Sequence, residues 1–171
     1  LFYITSAGIS LLNISTSESR LLYSNTTEDF FQVPSLYYDD QLKRLWIGTG
    51  SAGLFYYDII RKSLSDIPIR NFPKQPILAI RKDAKNTLLI GIDGQGIWNI
   101  SEKGDTILHI YKEDLNNPFS LRGDGVYDIL CDGSKNWIAT FTGKLSFFEN
   151  NNSQITPVTY QINNPNSLGN N

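Results

Sequence analysis

The sequence predicts an all-β protein built from repeated units of four short antiparallel strands. Helix patterns are nearly absent, and runs of β-branched and aromatic residues alternate with clusters of Gly, Asn, Asp, Ser and Pro. The same phrases recur about every 45 residues along the chain, which is the spacing of a repeat architecture. With 40% hydrophobic and 19% charged residues, the 171-residue chain has a globular composition.

Four phrases recur in a constant order and define the predicted strands of each unit. Second strands are LFYIT, LWIGT, LLIGI and NWIAT, at 1–5, 45–49, 88–92 and 136–140. Third strands are GISLLN, GLFYYD, GIWNIS and KLSFFE, beginning at Gly8, Gly53, Gly96 and Lys144. First strands are predicted at 34–40, 77–83 and 126–132, and fourth strands at 20–24, 63–69, 106–111 and 154–160.

Four antiparallel strands in about 45 residues match one blade of a β-propeller, in which such sheets surround a central axis. The predicted fold class is therefore all-β, with β-propeller blades of four antiparallel strands in an incomplete ring. The predicted divisions are a partial blade (strands two to four), three full blades and a lead-in to a missing next blade, at 1–32, 33–75, 76–123, 124–162 and 163–171. We expect further chain to supply the remaining blades; a partner copy covering the open blade face is the alternative.

Some recurring positions are predicted to be structural. A large apolar side chain at Trp46, with Tyr3 and Leu89 at the matching positions, would fill the space between neighbouring blades. Gly53 would supply the positive φ or close packing that the hairpin before it needs. The structural repeat positions are Trp46, Gly48, Gly53, Gly96 and Trp137.

Composition argues against several kinds of function. The net charge is −2 and the basic residues form no stripe, so we expect no nucleic-acid contact by this segment. His109 and Cys131 are the only residues of their types, which is too few for a zinc site. Cys131 is expected to be a small buried hydrophobe, and His109, a single histidine in a fourth strand, is expected to be structural or exposed and not part of a catalytic triad. We predict no catalytic residue, no metal and no cofactor.

The loops at one end of the blades are the predicted recognition surface. Because strands alternate in direction, the links between second and third strands share an end with the links that join successive blades. Long loops on a rigid scaffold commonly carry recognition, and the link 112–124 is one of them. The candidate ligand-binding residues, for a sugar or an acidic glycan, are Tyr111, Phe119, Arg122 and Asp124. The alternative is that these four residues only pack the loop.

The combination of these phrases resembles the two-component regulator propeller repeat. The segments LWIGTGSAGLFYYD, NNPFSLRGDGVYDILCDGSKNWIAT and NNPNSLGNN carry the resemblance, and the repeats cover nearly all of the chain. The third unit departs from the pattern at Leu89, where tryptophan is usual, and the last unit departs at Ala139 and Lys144, which replace glycines.

This resemblance implies a sensor. Such repeats form seven-bladed propellers in the periplasmic region of hybrid two-component regulators, followed by a membrane helix, a histidine kinase and a DNA-binding module. The implied partners are an oligosaccharide from carbohydrate breakdown, the remaining blades of the same chain, and a second copy in a homodimer of the full-length protein. Two alternatives stay open. One is a protein-interaction scaffold, although the GH…WD signature is missing, and the other is a propeller enzyme, which would need paired acids or a histidine at the axis.

Overall fold

The computed structural model describes residues 1–5, 7–24, 34–141, 145–159 and 167. Within these residues the chain forms β-strands and turns, with no helix, and therefore no helix that could cross a membrane. The strands form sheets whose members are consecutive in the chain and antiparallel to one another. The chain divides into two compact units, Leu1–Ile77 and Leu78–Asn171.

The first unit holds a three-stranded and a four-stranded sheet. The three-stranded sheet contains β1 (Phe2–Thr5), β2 (Gly8–Leu12) and β3 (Ser19–Ser24). The four-stranded sheet contains β4 (Ser35–Asp39), β5 (Arg44–Gly48), β6 (Leu54–Asp58) and β7 (Ser63–Asp66).

The second unit holds two four-stranded sheets. The earlier one contains β8 (Ile77–Lys82), β9 (Leu88–Ile92), β10 (Gly96–Ile100) and β11 (Ile107–Tyr111). The later one contains β12 (Val126–Asp132), β13 (Lys135–Thr140), β14 (Leu145–Glu149) and β15 (Asn152–Val158).

This architecture confirms the predicted fold class of four-stranded antiparallel propeller blades. The strands fall inside the predicted divisions 33–75, 76–123 and 124–162. The division boundaries themselves and the number of blades stay predictions. Apart from residue 167, the predicted lead-in at 163–171 lies outside the described residues, as does the long link 25–33.

The core of the first unit lies between its two sheets. Leu45, Ile47 and Tyr57 of the four-stranded sheet are buried against Ile9 of the three-stranded sheet. The hydroxyl of Tyr57 donates a hydrogen bond of 2.9 Å to the carbonyl of Leu22. The apolar faces of the two sheets therefore bury each other, and the hydrogen bond from Tyr57 to Leu22 joins them.

The core of the second unit has the same arrangement. Leu89 and Ile97 of the earlier sheet lie in one buried cluster with Ile129, Ile138 and Phe148 of the later sheet. Strands with apolar side chains on both faces suit a blade packed between neighbours, which explains the weak alternation of these sequences. Cys131 is partly buried at the edge of this cluster.

The recurring glycines stand at positions that a side chain would strain. Gly53 and Gly96 have φ angles of 94° and 73°, in the region that L-residues avoid. A Cβ on Gly96 would also collide with the backbone carbonyl of Tyr111. Gly53 directly precedes the third strand β6 and Gly96 is the first residue of the third strand β10, and both lie beside the link to the next blade.

The two repeat tryptophans differ in burial. Trp46 is fully buried, with its ring 5.4 Å from that of Tyr56. Trp137 is half-buried beside Phe147, at 5.0 Å between ring centroids. Gly48 lies on the same strand face as Trp46, and a Cβ added to it would stand 2.6 Å from a methyl carbon of Ile77.

The strand register corrects one predicted equivalence. Trp46 pairs with Tyr56, which stands at the same position after Gly53 as Leu11 does after Gly8. The residue of the first sheet that matches Trp46 is therefore the one that pairs with Leu11. That residue is Phe2, whereas Tyr3 pairs with Ser10 and lies on the opposite face. The phrase match was therefore wrong by one position at this site.

Asp39 and Asp83, at the ends of the first strands β4 and β8, close turns. The Asp39 carboxylate accepts hydrogen bonds from the backbone of Gln41 and Leu42, and that of Asp83 from Lys85 and Thr87. This is the ordinary turn chemistry of aspartate and needs no ligand to explain it.

Candidate functional site

In the sheets β4–β7 and β8–β11, the hairpin between the second and third strands meets the inter-blade link at one end of the sheet, and we call this end of the sheets the loop end. In the first unit, Gly53 of the β5–β6 hairpin lies beside the β7–β8 link, and its Cβ would stand 3.3 Å from the carbonyl of Pro73. In the second unit, the backbone N–H of Gly96 donates to the carbonyl of Asp124, at 2.9 Å. These contacts confirm the predicted sharing of an end.

The loop end of the first unit contains a cleft of about 570 Å³. Phe55 and Phe72 line it together with polar side chains that include Asp66, Asn71 and Lys74. None of the binding residues predicted from the sequence lies in this cleft.

The link between β11 and β12 is held in shape by its own polar groups. The hydroxyl of Ser120 donates to the carbonyl of Asp114, at 2.8 Å, and the side-chain oxygen of Asn117 accepts from the N–H of Phe119, at 3.0 Å. The N–H of Leu121 reaches the carbonyl of Lys112 at 3.2 Å. The NPFSL phrase is therefore turn chemistry, and it makes this long link a rigid one.

Tyr111 and Phe119 line a second cleft, of about 370 Å³, together with polar residues that include His109, Asn117 and Gln154. Tyr111 is only 8% exposed, and its ring stacks on Phe148. Burial, with a smaller contribution from Asp83, raises the pKa of Tyr111 to about 12. Phe119 is 51% exposed, while its carbonyl accepts a hydrogen bond from Ile155 of β15.

The other two candidate residues hold the link. The Arg122 guanidinium donates to the carbonyl of Pro118, at 2.9 Å. The Asp124 carboxylate accepts from the backbone N–H of Glu113, at 2.7 Å. Of the four candidates, Phe119 presents the most open side chain, and a binding role for any of them stays a prediction.

The structure brings together a further group of residues that sequence analysis did not select. Tyr127 and Phe141 are 51% and 70% exposed, and their ring centroids lie 5.4 Å apart. A Cβ built on Gly125 would stand 3.1 Å from the Cβ of Phe141 and 3.3 Å from a carboxylate oxygen of Asp93. We call Asp93, Gly125, Tyr127 and Phe141 the aromatic platform.

A β-bulge exposes Tyr127. Val126 pairs with Thr140 and Asp128 pairs with Ala139, so the intervening Tyr127 has no partner across the ladder. Bulges of this kind re-aim a side chain and are frequent beside binding sites. A bulge leaves no reliable mark in a single sequence, and for that reason the platform was missed.

Groups suited to catalysis are scarce in the part of the chain that the structure describes. No three His, Cys, Asp or Glu side chains there form a group that could hold a metal ion. Burial, more than the charge of Asp83, raises the pKa of Cys131 to about 11, so its thiol stays protonated near neutral pH. Arg81 and Asp128, on the first strands β8 and β12, form an ion pair of 2.8 Å.

Comparisons with known proteins identify the fold. The sequence matches no family model and no curated protein. Two structures of the extracellular domain of BT4673 from B. thetaiotaomicron, described as a one-component system in one and as a hybrid two-component system in the other, match with TM-scores of 0.63 and 0.61. Sequence identity is 19% in both, and each match covers 94% of this chain and 20% of that one.

A designed protein is also similar. The computationally designed Ika4 protein matches with a TM-score of 0.62 and 13% identity, over 86% of this chain and 83% of that chain. The chain thus spans about one fifth of the BT4673 extracellular domain and most of the designed protein. At these identities the likeness establishes the fold.

Proposed function

We propose that this chain is part of the extracytoplasmic sensor region of a hybrid two-component signalling protein, located in the periplasm, and that it has no catalytic activity. The observation that carries the proposal is the match of 94% of the chain to the extracellular domain of BT4673. The repeat phrases, which resemble the two-component regulator propeller, support it independently.

The proposed ligand is an oligosaccharide from carbohydrate breakdown, bound at the loop end. Exposed aromatic side chains support this choice, because a ring such as that of Phe119 or Phe141 offers an apolar face to a sugar ring. Polar side chains that could bind hydroxyl groups, such as Asn117 and Gln154, line the same cleft as Phe119.

Titration calorimetry of the complete extracellular region against a panel of oligosaccharides tests the proposal. We expect saturable binding of one oligosaccharide, weakened by Phe119→Ala or Phe141→Ala and unchanged by Leu108→Ala, which removes an exposed side chain on β11. A region that binds none of them, while retaining a protein partner in a pull-down, would contradict the sensor proposal.

The last blade has a face that supports a larger propeller. Leu130 is 61% exposed on this face, beside Trp137, Ala139 and Leu145. At the matching position of the preceding sheet, Leu89 is fully buried in a cluster that it shares with Ile129 and Ile138 of the last blade. We therefore propose that a further blade of the same protein covers the Leu130 face in the same manner.

A protein-interaction scaffold is the second candidate function. The edge strand β11 favours it, because Ile107, Leu108 and Ile110 are all exposed on a strand that pairs only with β10 within the described part of the chain. Exposed apolar edges are sites of association. The homodimer expected for the full-length protein would also need such a surface. Light scattering measures the mass of the full-length protein and of its Leu108→Lys variant, and we expect the variant to associate less if β11 is the contact surface.

A further inference from the structure

The aromatic platform combines two chemical features that can contact a ligand. Two large aromatic side chains, Tyr127 and Phe141, are more than half exposed and lie against each other at an interplanar angle of 58°. An exposed carboxylate, that of Asp93, approaches the same glycine as Phe141 does. The platform therefore presents apolar ring faces and a negative charge within one small area.

Gly125 makes this arrangement possible. Its carbonyl accepts the N–H of Phe141 at 2.7 Å, so the backbone segments are in direct contact. A side chain at Gly125 would crowd both neighbours, since its Cβ would lie 3.1 Å from the Cβ of Phe141 and 3.3 Å from a carboxylate oxygen of Asp93. Because Gly125 has no side chain, Phe141 and the Asp93 carboxylate can both lie next to this backbone position.

The Asp93 carboxylate has no salt bridge or hydrogen bond to any residue that the structure describes. The cation that approaches this hairpin, Lys112, donates instead to the side-chain oxygen of Gln95, at 3.1 Å. Asp93 thus differs from Asp124 and Asp83, whose carboxylates accept backbone N–H groups. Its charge is available for a ligand.

The two aromatic rings and the Asp93 carboxylate favour some classes of sugar over others. An aromatic face attracts the apolar face of a sugar ring and also attracts a cation, because the ring quadrupole is negative above its plane. A carboxylate binds a protonated amine by a charge-assisted hydrogen bond, roughly twice as strong as a neutral one. The same carboxylate repels the acid group of a uronic sugar.

We propose that the aromatic platform is a subsite for an amino sugar, whose protonated amine contacts Asp93 while its ring packs on Phe141 and Tyr127. This inference rests on the proposed function, in that it assumes saccharide binding at the loop end. It goes beyond that function by naming the sugar class and the residues that recognise it.

The test compares two tetrasaccharides with the same backbone, one of glucosamine and one of N-acetylglucosamine, titrated into the 171-residue chain below the pKa of the sugar amine. We expect the amine form to bind roughly tenfold more tightly, from one added charge-assisted hydrogen bond. Asp93→Asn should abolish this difference, and Phe141→Ala should weaken binding of both sugars.

Asp132→Asn is the matched control, because it makes the same charge change at an exposed position at the other end of β12. It should leave the tenfold difference intact. Equal affinity for the two tetrasaccharides, or a difference that survives Asp93→Asn, would overturn the inference and leave the proposed function standing. Binding of neither sugar by this chain, with other oligosaccharides bound by the complete region, would also overturn it. Loss of all saccharide binding in the complete region would instead overturn the proposed function.

Discussion

The ring of Tyr111 stacks on the ring of Phe148, with centroids 4.6 Å apart and planes at 25°. Tyr111 ends β11, the fourth strand of one sheet, and Phe148 lies in β14, the third strand of the next. The stack joins two successive sheets close to the link that connects them. Tyr111, which was predicted from the sequence as a ligand-binding residue, is thus part of the core of the second unit.

This stack predicts that Tyr111→Ala lowers the free energy of unfolding by about 3 kcal/mol, the usual cost of truncating a buried aromatic side chain. The neighbouring Phe119→Ala, at a half-exposed position, should cost less than about 1 kcal/mol. Urea unfolding of the two variants measures both values. Equal losses would contradict a packing role for Tyr111.

Buried titratable groups predict a loss of stability at alkaline pH. Burial raises the pKa of Tyr111 from 10.0 to about 12 and the pKa of Cys131 from 9.0 to about 11. A raised pKa means that the folded state favours the neutral form, so this stability is complete below the ordinary pKa and is lost as the pH rises through the folded one. We expect unfolding free energy to fall between about pH 9 and 12. Cys131→Ala should reduce the loss of stability between about pH 9 and 11. An unchanged pH profile in this variant would contradict the contribution of the Cys131 thiol.

The same burial predicts that the Cys131 thiol reacts slowly. Only the thiolate is nucleophilic, and at pH 8 a thiol with a pKa of about 11 is almost entirely protonated. Alkylation of the folded chain by iodoacetamide should therefore be much slower than that of the urea-unfolded chain. Similar rates in the two states would show that the thiol is open to solvent.

Two glycines with positive φ offer a matched pair of substitutions. Gly96→Ala should be strongly destabilising, because the new Cβ would meet the carbonyl of Tyr111 in addition to the strain at a φ of 73°. Gly133→Ala should cost only the strain of about 1 to 2 kcal/mol, since nothing lies near its Cβ. Thermal unfolding of both variants compares them directly. Equal shifts would contradict the close approach at Gly96.

We expect the effect of Leu130→Lys on stability to depend on whether the next blade is present in the chain. In the 171-residue chain, Leu130→Lys at an exposed position should change stability by less than about 0.5 kcal/mol. In a longer chain with the next blade it should cost more than about 2 kcal/mol, because a charge would be buried without a partner. Ile60→Lys, at an exposed position in the turn between β6 and β7, should be silent in both chains. An equal effect of Leu130→Lys in the two chains would mean that no blade covers this face.

Repetition in the sequence was sufficient to predict the sheets. Phrases anchored at Gly53 and Gly96 have a physical basis, since only glycine suits a hairpin exit with positive φ that also touches a backbone carbonyl. A match by phrase cannot determine register when both faces of a strand are apolar. The first sheet illustrates this, because Phe2 occupies the position that was assigned to Tyr3.

The binding surface was predicted less completely than the sheets. The alternation of strand direction placed the loops at one end, which the structure confirms. The exposure of individual side chains there depends on details that residue type does not encode. Tyr111 and Phe119 are both aromatic and lie at either end of one link, yet packing against Phe148 buries only the first. Tyr127 is exposed by a bulge that its neighbours in the sequence do not reveal.

Residue-specific NMR titration of the 171-residue chain with the tightest-binding oligosaccharide tests whether the loop end binds saccharides, because it locates the ligand as well as detecting it. We expect progressive shifts of the backbone amides of Asp93, Phe119, Gly125, Tyr127 and Phe141 at the loop end of the second unit. Asp132 and Gly133, at the opposite end of β12, should not shift. Saturable shifts confined to that opposite end would contradict the claim that the loop end is the binding surface.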